Sequence, residues 1–196
     1  MTTSILLVRH GRTTLNAQDR LRGLSDPPLD DVGVAQAEAL ATVLAGRDIV
    51  AVYSSPLRRA ASTAGTIAAR VDLSAQPDAR FNDRDYGPWT GHERRAVIEQ
   101  FGSVDAAPGV EATADVLARV RPALDIVRED GRVVVVVSHD AVIKPLIAGF
   151  RDGETPQIPT GSWSELRWED GRWRVVAVGR RAPSRSPGPC RGPSRE

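Results

Sequence analysis

Residues 4–11 read Ser-Ile-Leu-Leu-Val-Arg-His-Gly, a short apolar run that meets a charged turn containing glycine. This pattern is typical of a buried parallel strand that ends at the carboxyl edge of a sheet. Five valines at 133–137, which lead through Ser138 into His139, repeat it. A third apolar run ends in Ser54-Ser55-Pro56. The sequence therefore predicts buried strands at residues 4–8, 49–53 and 132–138.

Segments with a helical spacing of apolar residues lie between and after these strands. They cover residues 33–44, 57–69, 93–101, 111–129 and 141–148. Farther on, residues 165–168 and 173–178 flank Asp170-Gly171, which is a hairpin signal. Strands that alternate with helices predict an α/β fold, a three-layer α/β/α sandwich with a mostly parallel central sheet. We expect a single domain over residues 1–179, with loops at 16–29 and 80–91.

The composition fits one globular domain. The chain has 196 residues, of which 41% are hydrophobic and 26% are charged. Its apolar runs are too short for a signal peptide or a membrane span. The single cysteine, Cys190, can form no internal disulfide and no thiolate metal cluster. These features predict a soluble cytoplasmic protein with no membrane partner.

Residues 180–196 differ from the rest of the chain, with five arginines, four prolines and one glutamate. A segment with so few apolar residues cannot offset the entropy lost on ordering, so we predict a disordered tail. Its arginines would suit nucleic acid. A solvated appendage is the favoured interpretation for so short a segment, and no nucleic-acid partner is expected.

Side chains suited to binding anions follow each predicted strand. Arg9 and His10 follow the first, Arg59 follows the second and His139 follows the third. Because the carboxyl ends of parallel strands share one edge of the sheet, we expect these four side chains at one rim, with no carboxylate nearby. Guanidinium groups present paired donors that match phosphate oxygens. The same arginines would repel a divalent cation, so we expect neither a metal nor a cofactor.

These residues fall within five sequence blocks. The blocks are residues 7–13 with Asn16, residues 23–29 with Gly33 and 36–37, residues 54–60 with 63–64, Asp83 with Gly87, Trp89 and Gly91, and residues 137–139. In this order they resemble the signature of the histidine phosphatase (phosphoglycerate mutase-like) superfamily. Arg9-His10-Gly11 matches the Arg-His-Gly motif of that superfamily, and the blocks cover roughly residues 4 to 150.

The resemblance implies a metal-independent phosphatase that hydrolyses a small-molecule phosphate monoester through a phosphohistidine on His10. Asp83 would be the general acid that protonates the leaving oxygen, and His139 would also serve catalysis. The residues that would bind the phosphoryl group or the substrate are Arg9, Asn16, Arg22, Gly23, Arg59 and His139. The flanking arginines disfavour a second positive charge, which keeps His10 neutral near pH 7.

Residues 80–91, which carry Asp83 and are called the acid loop below, depart from the resemblance. Many relatives carry a glutamate where this chain has Asp83, so the shorter side chain must come closer to the phosphate or act through water. Asp85 is an alternative acid, although a solvated loop position suits it better. Trp89 is either a stacking surface for an aromatic leaving group or, as we favour, an anchor of the loop. His92 is expected to be structural.

Three further positions differ from the resemblance. Arg12, Arg22 and Asp140 stand where relatives frequently carry glutamate, glutamine and glycine. The two arginines either make the mouth of the pocket more positive, which suits a polyanionic substrate, or face solvent without contacting it. Asp140 either orients His139 or faces solvent.

Two other functions stay open. A phosphoglycerate mutase would return the phosphoryl group to its substrate, but residues 91–131 form a short segment for shielding the intermediate from water. A phospho-ligand binding module would have no need of Asp83 as an acid. Hydrolysis is therefore favoured. The hairpin that carries Trp163, Trp168 and Trp173 is either a sheet edge or the interface of a homodimer.

Overall fold

The computed structural model describes residues 3–128, 131–151 and 155–183. Its strands are β1 (Thr3–Arg9), β2 (Ile49–Ser54), β3 (Ala75–Pro77), β4 (Val133–Ser138), β5 (Ser162–Glu169) and β6 (Arg172–Arg181). The α-helices of the described residues are α1 (Thr14–Ala17), α2 (Asp31–Leu44), α3 (Arg58–Arg70), α4 (Arg94–Phe101), α5 (Thr113–Val127) and α6 (Asp140–Gly149). All six strands form one sheet in the order β3-β2-β4-β1-β5-β6.

The valine-rich strand β4 lies inside the sheet, parallel to both of its neighbours. It pairs with β1 in continuous register from Ser4↔Val133 to Arg9↔Ser138, and with β2 on its other side. Strand β3 extends the parallel part at one edge. Strands β5 and β6 add an antiparallel hairpin beside β1. The predicted mostly parallel sheet is confirmed.

Successive residues of β1 enter two separate cores, because side chains alternate across a strand. Ile5 and Leu7 pack with α5 and α6 on one face of the sheet. Leu6 and Val8 pack with α2 and α3 on the other face. Strand β4 alternates in the same way, and its central valines are fully buried. The predicted three-layer α/β/α sandwich is therefore confirmed.

Some helices and strands begin or end at residues other than those predicted. Helix α2 begins at Asp31, two residues before the predicted start, because the side chain of Asp30 caps it by accepting a hydrogen bond from Gly33 N at 2.8 Å. Asn16 lies in the short helix α1, within a segment predicted as loop. Strand β3 was not predicted. It has only three residues and pairs with β2 alone.

The segment predicted as a loop at residues 80–91 contains two 3-10 turns and is held by a small core of its own. The buried members of that core are Leu21, Tyr86, Val97, Val104 and Ala107. Trp89 packs against it, with its ring centroid 4.8 Å from that of Phe101 and its Nε1 donating to Pro108 O at 2.8 Å. Trp89 is thus an anchor of the loop.

The C-terminal hairpin is longer than predicted. Strand β6 runs to Arg181, so the prediction of disorder was wrong for Arg180 and Arg181, which pair with Trp163 and Ser162. The remainder of the predicted tail, from residue 184, lies outside the described residues. Trp168 and Trp173 pack edge to face with centroids 5.2 Å apart. Within the described residues, no helix is long and apolar enough to cross a bilayer.

Candidate active site

The carboxyl ends of β1 and β4 deliver two histidines to one point. His10 follows β1, and its backbone N–H donates to Ser138 O at 3.1 Å, which ties the two strand ends together. His139 follows β4 and occupies the N-cap position of α6. The two imidazole centroids are 5.0 Å apart, and both side chains are fully buried. The predicted convergence of His10 and His139 is therefore observed.

Two glycines bring the turn after His10 into direct contact with α2. A Cβ atom on Gly11 would lie 2.3 Å from Gly33 O, and one on Gly33 would lie 2.0 Å from Arg12 O. Both distances are far below van der Waals contact. The backbone of the turn can therefore rest on the first turn of α2 only because neither position carries a side chain.

The geometry around His10 fixes its tautomer. Its Nδ1 lies 2.6 Å from Gly11 O, and because a carbonyl only accepts, Nδ1 carries the proton and donates it. Burial, together with the positive charges of Arg59 and Arg9, holds the pKa of His10 well below its ordinary value. Near neutral pH the ring is uncharged and Nε2 keeps its lone pair. His10 can therefore act as a nitrogen nucleophile.

Arg59 lies in the first turn of α3 and reaches the same point. Its side chain is fully buried, with Nη1 donating to Ser25 O at 2.7 Å and Nη2 to Gly23 O at 2.8 Å. Nη2 also donates to Asp83 Oδ2 at 3.0 Å. In this structure Gly23, at φ 52°, orients Arg59 through its carbonyl. A direct contact of Gly23 with phosphate stays a prediction.

Asp83, and not Asp85, reaches the histidines. The Asp83 carboxylate is buried, with Oδ2 at 3.6 Å from His139 Nδ1 and Oδ1 accepting from Arg84 N at 2.9 Å. Burial raises the pKa of Asp83 above its ordinary value, although Arg59 and Arg22 oppose the shift. Asp85 is exposed and caps Gly87 N. Of the two carboxylates, only Asp83 is placed to hold a proton at this site.

Asp140 is a second buried carboxylate, where the sequence led us to expect none. Its Oδ1 accepts from Arg22 Nη2 at 3.1 Å and lies 3.3 Å from Arg9 Nη2, while Oδ2 lies 3.5 Å from Lys144 Nζ. Burial disfavours its charge, but Arg9, Arg22 and Lys144 together lower the pKa of Asp140. It is therefore ionised. The expectations that Asp140 orients His139 or faces solvent were both wrong.

Arg22 and Arg12, the two arginines that differ from the resemblance, take different positions in the structure. Arg22 does not face solvent: it is 4% exposed, and its Nη1 donates to Arg20 O at 3.1 Å. Arg12 turns away and pairs with Asp30, its Nε lying 2.8 Å from Asp30 Oδ2. Of the two, only Arg22 thus adds positive charge beside the histidines, and Asp140 compensates that charge. The structure gives no support to a strongly positive pocket mouth.

Asn16 caps its own helix. Its Oδ1 accepts from Thr13 N at 3.0 Å and from Thr13 Oγ1 at 2.9 Å, which closes the first turn of α1. This local role explains the residue in structural terms. The substrate contact predicted for Asn16 stays a prediction.

Arg119 supports the acid loop and was missed in the sequence. From α5 its guanidinium donates to three backbone carbonyls of the loop, namely Arg80 O at 2.7 Å, Asn82 O at 2.9 Å and Asp83 O at 3.0 Å. These contacts span 36 to 39 residues of sequence. No local pattern could have pointed to them, because each depends on the packing of α5 against the loop.

The site concentrates polar atoms that have no partner. Buried side-chain nitrogens without a hydrogen bond are Arg9 Nε, His10 Nε2, Arg22 Nε, Arg59 Nε, His139 Nδ1 and His139 Nε2. Within residues 3–128, 131–151 and 155–183, every buried unpartnered side-chain atom belongs to this group. An unsatisfied buried group costs about 1–3 kcal/mol, so a cluster of them signals a ligand. The guanidinium N–H groups and a ring N–H of His139 suit a compact oxyanion, and the unprotonated Nε2 of His10 faces the same site as an electron-pair donor.

A cleft of about 500 Å³ adjoins Asp140. Its lining combines basic and apolar side chains, among them Arg84, Tyr86, Arg94, Ile98, Lys144 and Pro145. It runs between the acid-loop segment and α6. Asp140 is the residue of the histidine site that also lines this cleft.

Comparison with known proteins gives these contacts a context. The family model described as histidine phosphatase superfamily (branch 1) matches residues 5–181. A bifunctional protein of Mycobacterium tuberculosis is 41% identical over 157 residues, which cover 74% of this chain and 43% of that protein. The chain thus spans less than half the length of that relative.

Two further relatives match over most of their length. A glucosyl-3-phosphoglycerate phosphatase of Mycobacterium tuberculosis is 31% identical over 204 residues, covering 87% of this chain and 92% of that protein. The solved structure of a mycobacterial glucosyl-3-phosphoglycerate phosphatase in complex with VO3 superimposes with a TM-score of 0.81 at 29% identity. That superposition covers 90% of this chain and 98% of the other.

Proposed function

The chain belongs to the histidine phosphatase superfamily, and from that premise we propose that it hydrolyses small-molecule phosphate monoesters, without a metal ion, through a phosphohistidine on His10. The observation that carries the proposal is the cluster of unpartnered buried nitrogens around His10 Nε2. The positively charged guanidiniums in this cluster suit the oxygens of a phosphoryl group, while His10 Nε2 offers the lone pair that would attack phosphorus.

In the first step, the lone pair of His10 Nε2 forms a bond to phosphorus while the bond to the leaving oxygen breaks. Asp83 gives its proton to that oxygen, so the alcohol departs neutral. The raised pKa of Asp83 supports this role, because an acid must still hold its proton when the reaction begins. Arg9, Arg59 and His139 would bind the equatorial oxygens and stabilise their negative charge.

In the second step, water attacks the phosphorus and the electron pair of the nitrogen–phosphorus bond returns to His10 Nε2. Asp83, now a carboxylate, takes a proton from the water. Inorganic phosphate leaves, and both residues regain their starting states. Splitting the displacement into two steps is the usual gain of nucleophilic catalysis.

The remainder of the substrate would occupy the cleft beside Asp140. Relatives named as phosphatases support hydrolysis as the outcome. The short segment between the acid loop and β4 supports it as well, since little chain is available there to exclude water from the intermediate.

The proposal is tested by phosphate release from an aryl phosphate in excess EDTA. Wild type should turn over, and His10→Ala should lose at least a thousandfold, since removal of a catalytic nucleophile costs on the order of 10⁶ in a well-studied protease. The exposed His92 supplies the matched control, because His92→Ala removes an imidazole outside the site. Turnover by His10→Ala at the wild-type rate would refute the nucleophile. No turnover in wild type, with interconversion of 2- and 3-phosphoglycerate, would favour the mutase.

A further inference from the structure

Arg22 and Asp140 are 118 residues apart in sequence and bonded to each other in the structure. Arg22 Nη2 lies 3.1 Å from Asp140 Oδ1, and the two side chains are 5% and 6% exposed. Arg22 brings a buried positive charge to the site and Asp140 brings a buried negative charge, so the pair adds no net charge.

Arg9 shares the same carboxylate oxygen. Its Nη2 lies 3.3 Å from Asp140 Oδ1, and its Nη1 donates to Ile158 O at 2.6 Å. With both terminal nitrogens held, the plane of the guanidinium is fixed and Nε is left without a partner. Arg22 is held in the same manner, by Asp140 and by Arg20 O, and its Nε is also left free. Asp140 thus orients two guanidiniums at once.

We propose that Arg22 and Asp140 act as one positioning unit, in which Asp140 fixes the orientation of Arg9 and Arg22 while the charge of Arg22 offsets that of Asp140 next to the phosphoryl group. This inference rests on the phosphoryl pocket of the proposed function. Its consequence is that the two residues influence phosphate binding in opposite directions. Asp140 repels the anion and Arg22 attracts it.

The test is calorimetric titration with inorganic phosphate of wild type, Asp140→Asn, Arg22→Gln and the double variant. Asp140→Asn should bind phosphate about tenfold more tightly, and Arg22→Gln about tenfold more weakly, the effect of one unit charge at this range in a partly screened site. The double variant should return to within about threefold of wild type, because the net charge is restored.

Turnover supplies a second readout. Asp140→Asn should lose kcat because Arg9 is no longer held as in wild type, and Arg22→Gln should lose kcat because the charge of Asp140 is no longer offset beside the phosphoryl group. The double variant should retain a larger fraction of the wild-type kcat than the product of the fractions retained by the two single variants, because the effects of coupled residues are not additive. The matched control is Glu165→Gln, which neutralises a buried carboxylate bonded to two arginines away from the site. It should leave phosphate affinity unchanged.

Weaker phosphate binding in both single variants would overturn the unit, since a merely structural pair behaves in that way. If Arg22→Gln does not fold, Arg22→Lys keeps the charge and should hold phosphate affinity within about threefold of wild type. A tenfold loss there would also count against the unit. A wild type that binds phosphate but hydrolyses nothing overturns the proposed function alone, and a wild type that binds no phosphate overturns both.

Discussion

Glu165, inside β5, and Asp140, at the start of α6, are both buried carboxylates with two arginines within 3.3 Å. The arginines of Glu165 are each 36% exposed, and Ser4 Oγ donates to the same carboxylate at 3.0 Å. The arginines of Asp140 are 12% and 5% exposed, and each keeps a buried Nε without a partner.

The comparison separates two uses of a buried charge. Around Glu165 no buried side-chain atom of the described residues lacks a hydrogen-bond partner, and the carboxylate joins β5 to β1 through Ser4 and to the segment before β2 through Arg47. Around Asp140 the protein leaves donors unmet, which is tolerated in a native fold where a ligand completes the site. Composition alone would not distinguish the two clusters. The unpartnered atoms do.

The sharpest test on the catalytic side of this comparison is Asp83→Asn. The amide cannot protonate a leaving oxygen, so alkyl phosphates should slow by about 10²-fold or more, the usual range for general acid catalysis. Aryl phosphates with good leaving groups should slow by less than about tenfold. Initial rates on a series of leaving groups measure the difference. Asp85→Asn is the matched control, and equal losses on all substrates would assign the proton to another group.

The buried histidines should make stability depend on pH. Burial and the neighbouring arginines hold the pKa of His10 and His139 well below 6.5 in the folded protein. The unfolded chain takes up protons as the pH falls through about 6.5, so it binds more protons than the folded state. Stability is therefore lost on acidification, by at most about 2 kcal/mol per histidine between pH 7 and pH 5.

Denaturant titrations at each pH measure this loss. His10→Ala should remove the part of the pH dependence of stability that His10 contributes, whereas substitution of the exposed His92 by alanine should leave the dependence unchanged. Identical slopes for wild type and His10→Ala would mean that His10 is not held neutral by its surroundings.

The smallest expected effect lies on the structural side. Glu165→Gln should lower the free energy of unfolding by about 1 kcal/mol, because its arginines are partly exposed and water can replace the lost interaction. Turnover should not change. Urea denaturation and a rate assay check both expectations, and a loss of turnover would show that the ion pairs of Glu165 are coupled to the site around Asp140.

The parts of the fold that follow from short stretches of sequence could be predicted. Apolar runs at β1, β2 and β4 are long enough to mark buried strands, and the charged turns after them mark the rim. The edge strand β3 has no such run, and it forms only because β2 offers it a partner. Arg180 and Arg181 look like tail residues by composition, yet they pair with β5.

The site divides in the same way. His10 and His139 could be placed because each follows a strand directly, and Arg59 because it lies in the first turn of the helix that follows β2. The partnership of Arg22 with Asp140 could not, since the two residues lie on segments that only the folded sheet brings together. The same holds for Arg119, whose three acceptors in the acid loop are backbone carbonyls and therefore leave no trace in residue identity.

The contact between Gly11 and Gly33 has a consequence for variation among relatives. Neither glycine bears a reactive group, yet any side chain at either position would push the turn after His10 away from α2. A deep mutational scan scored on activity would thus find both positions as intolerant as His10 itself. Because the turn after His10 and helix α2 touch at Gly11 and Gly33, a larger residue at either position requires the backbone to move as well.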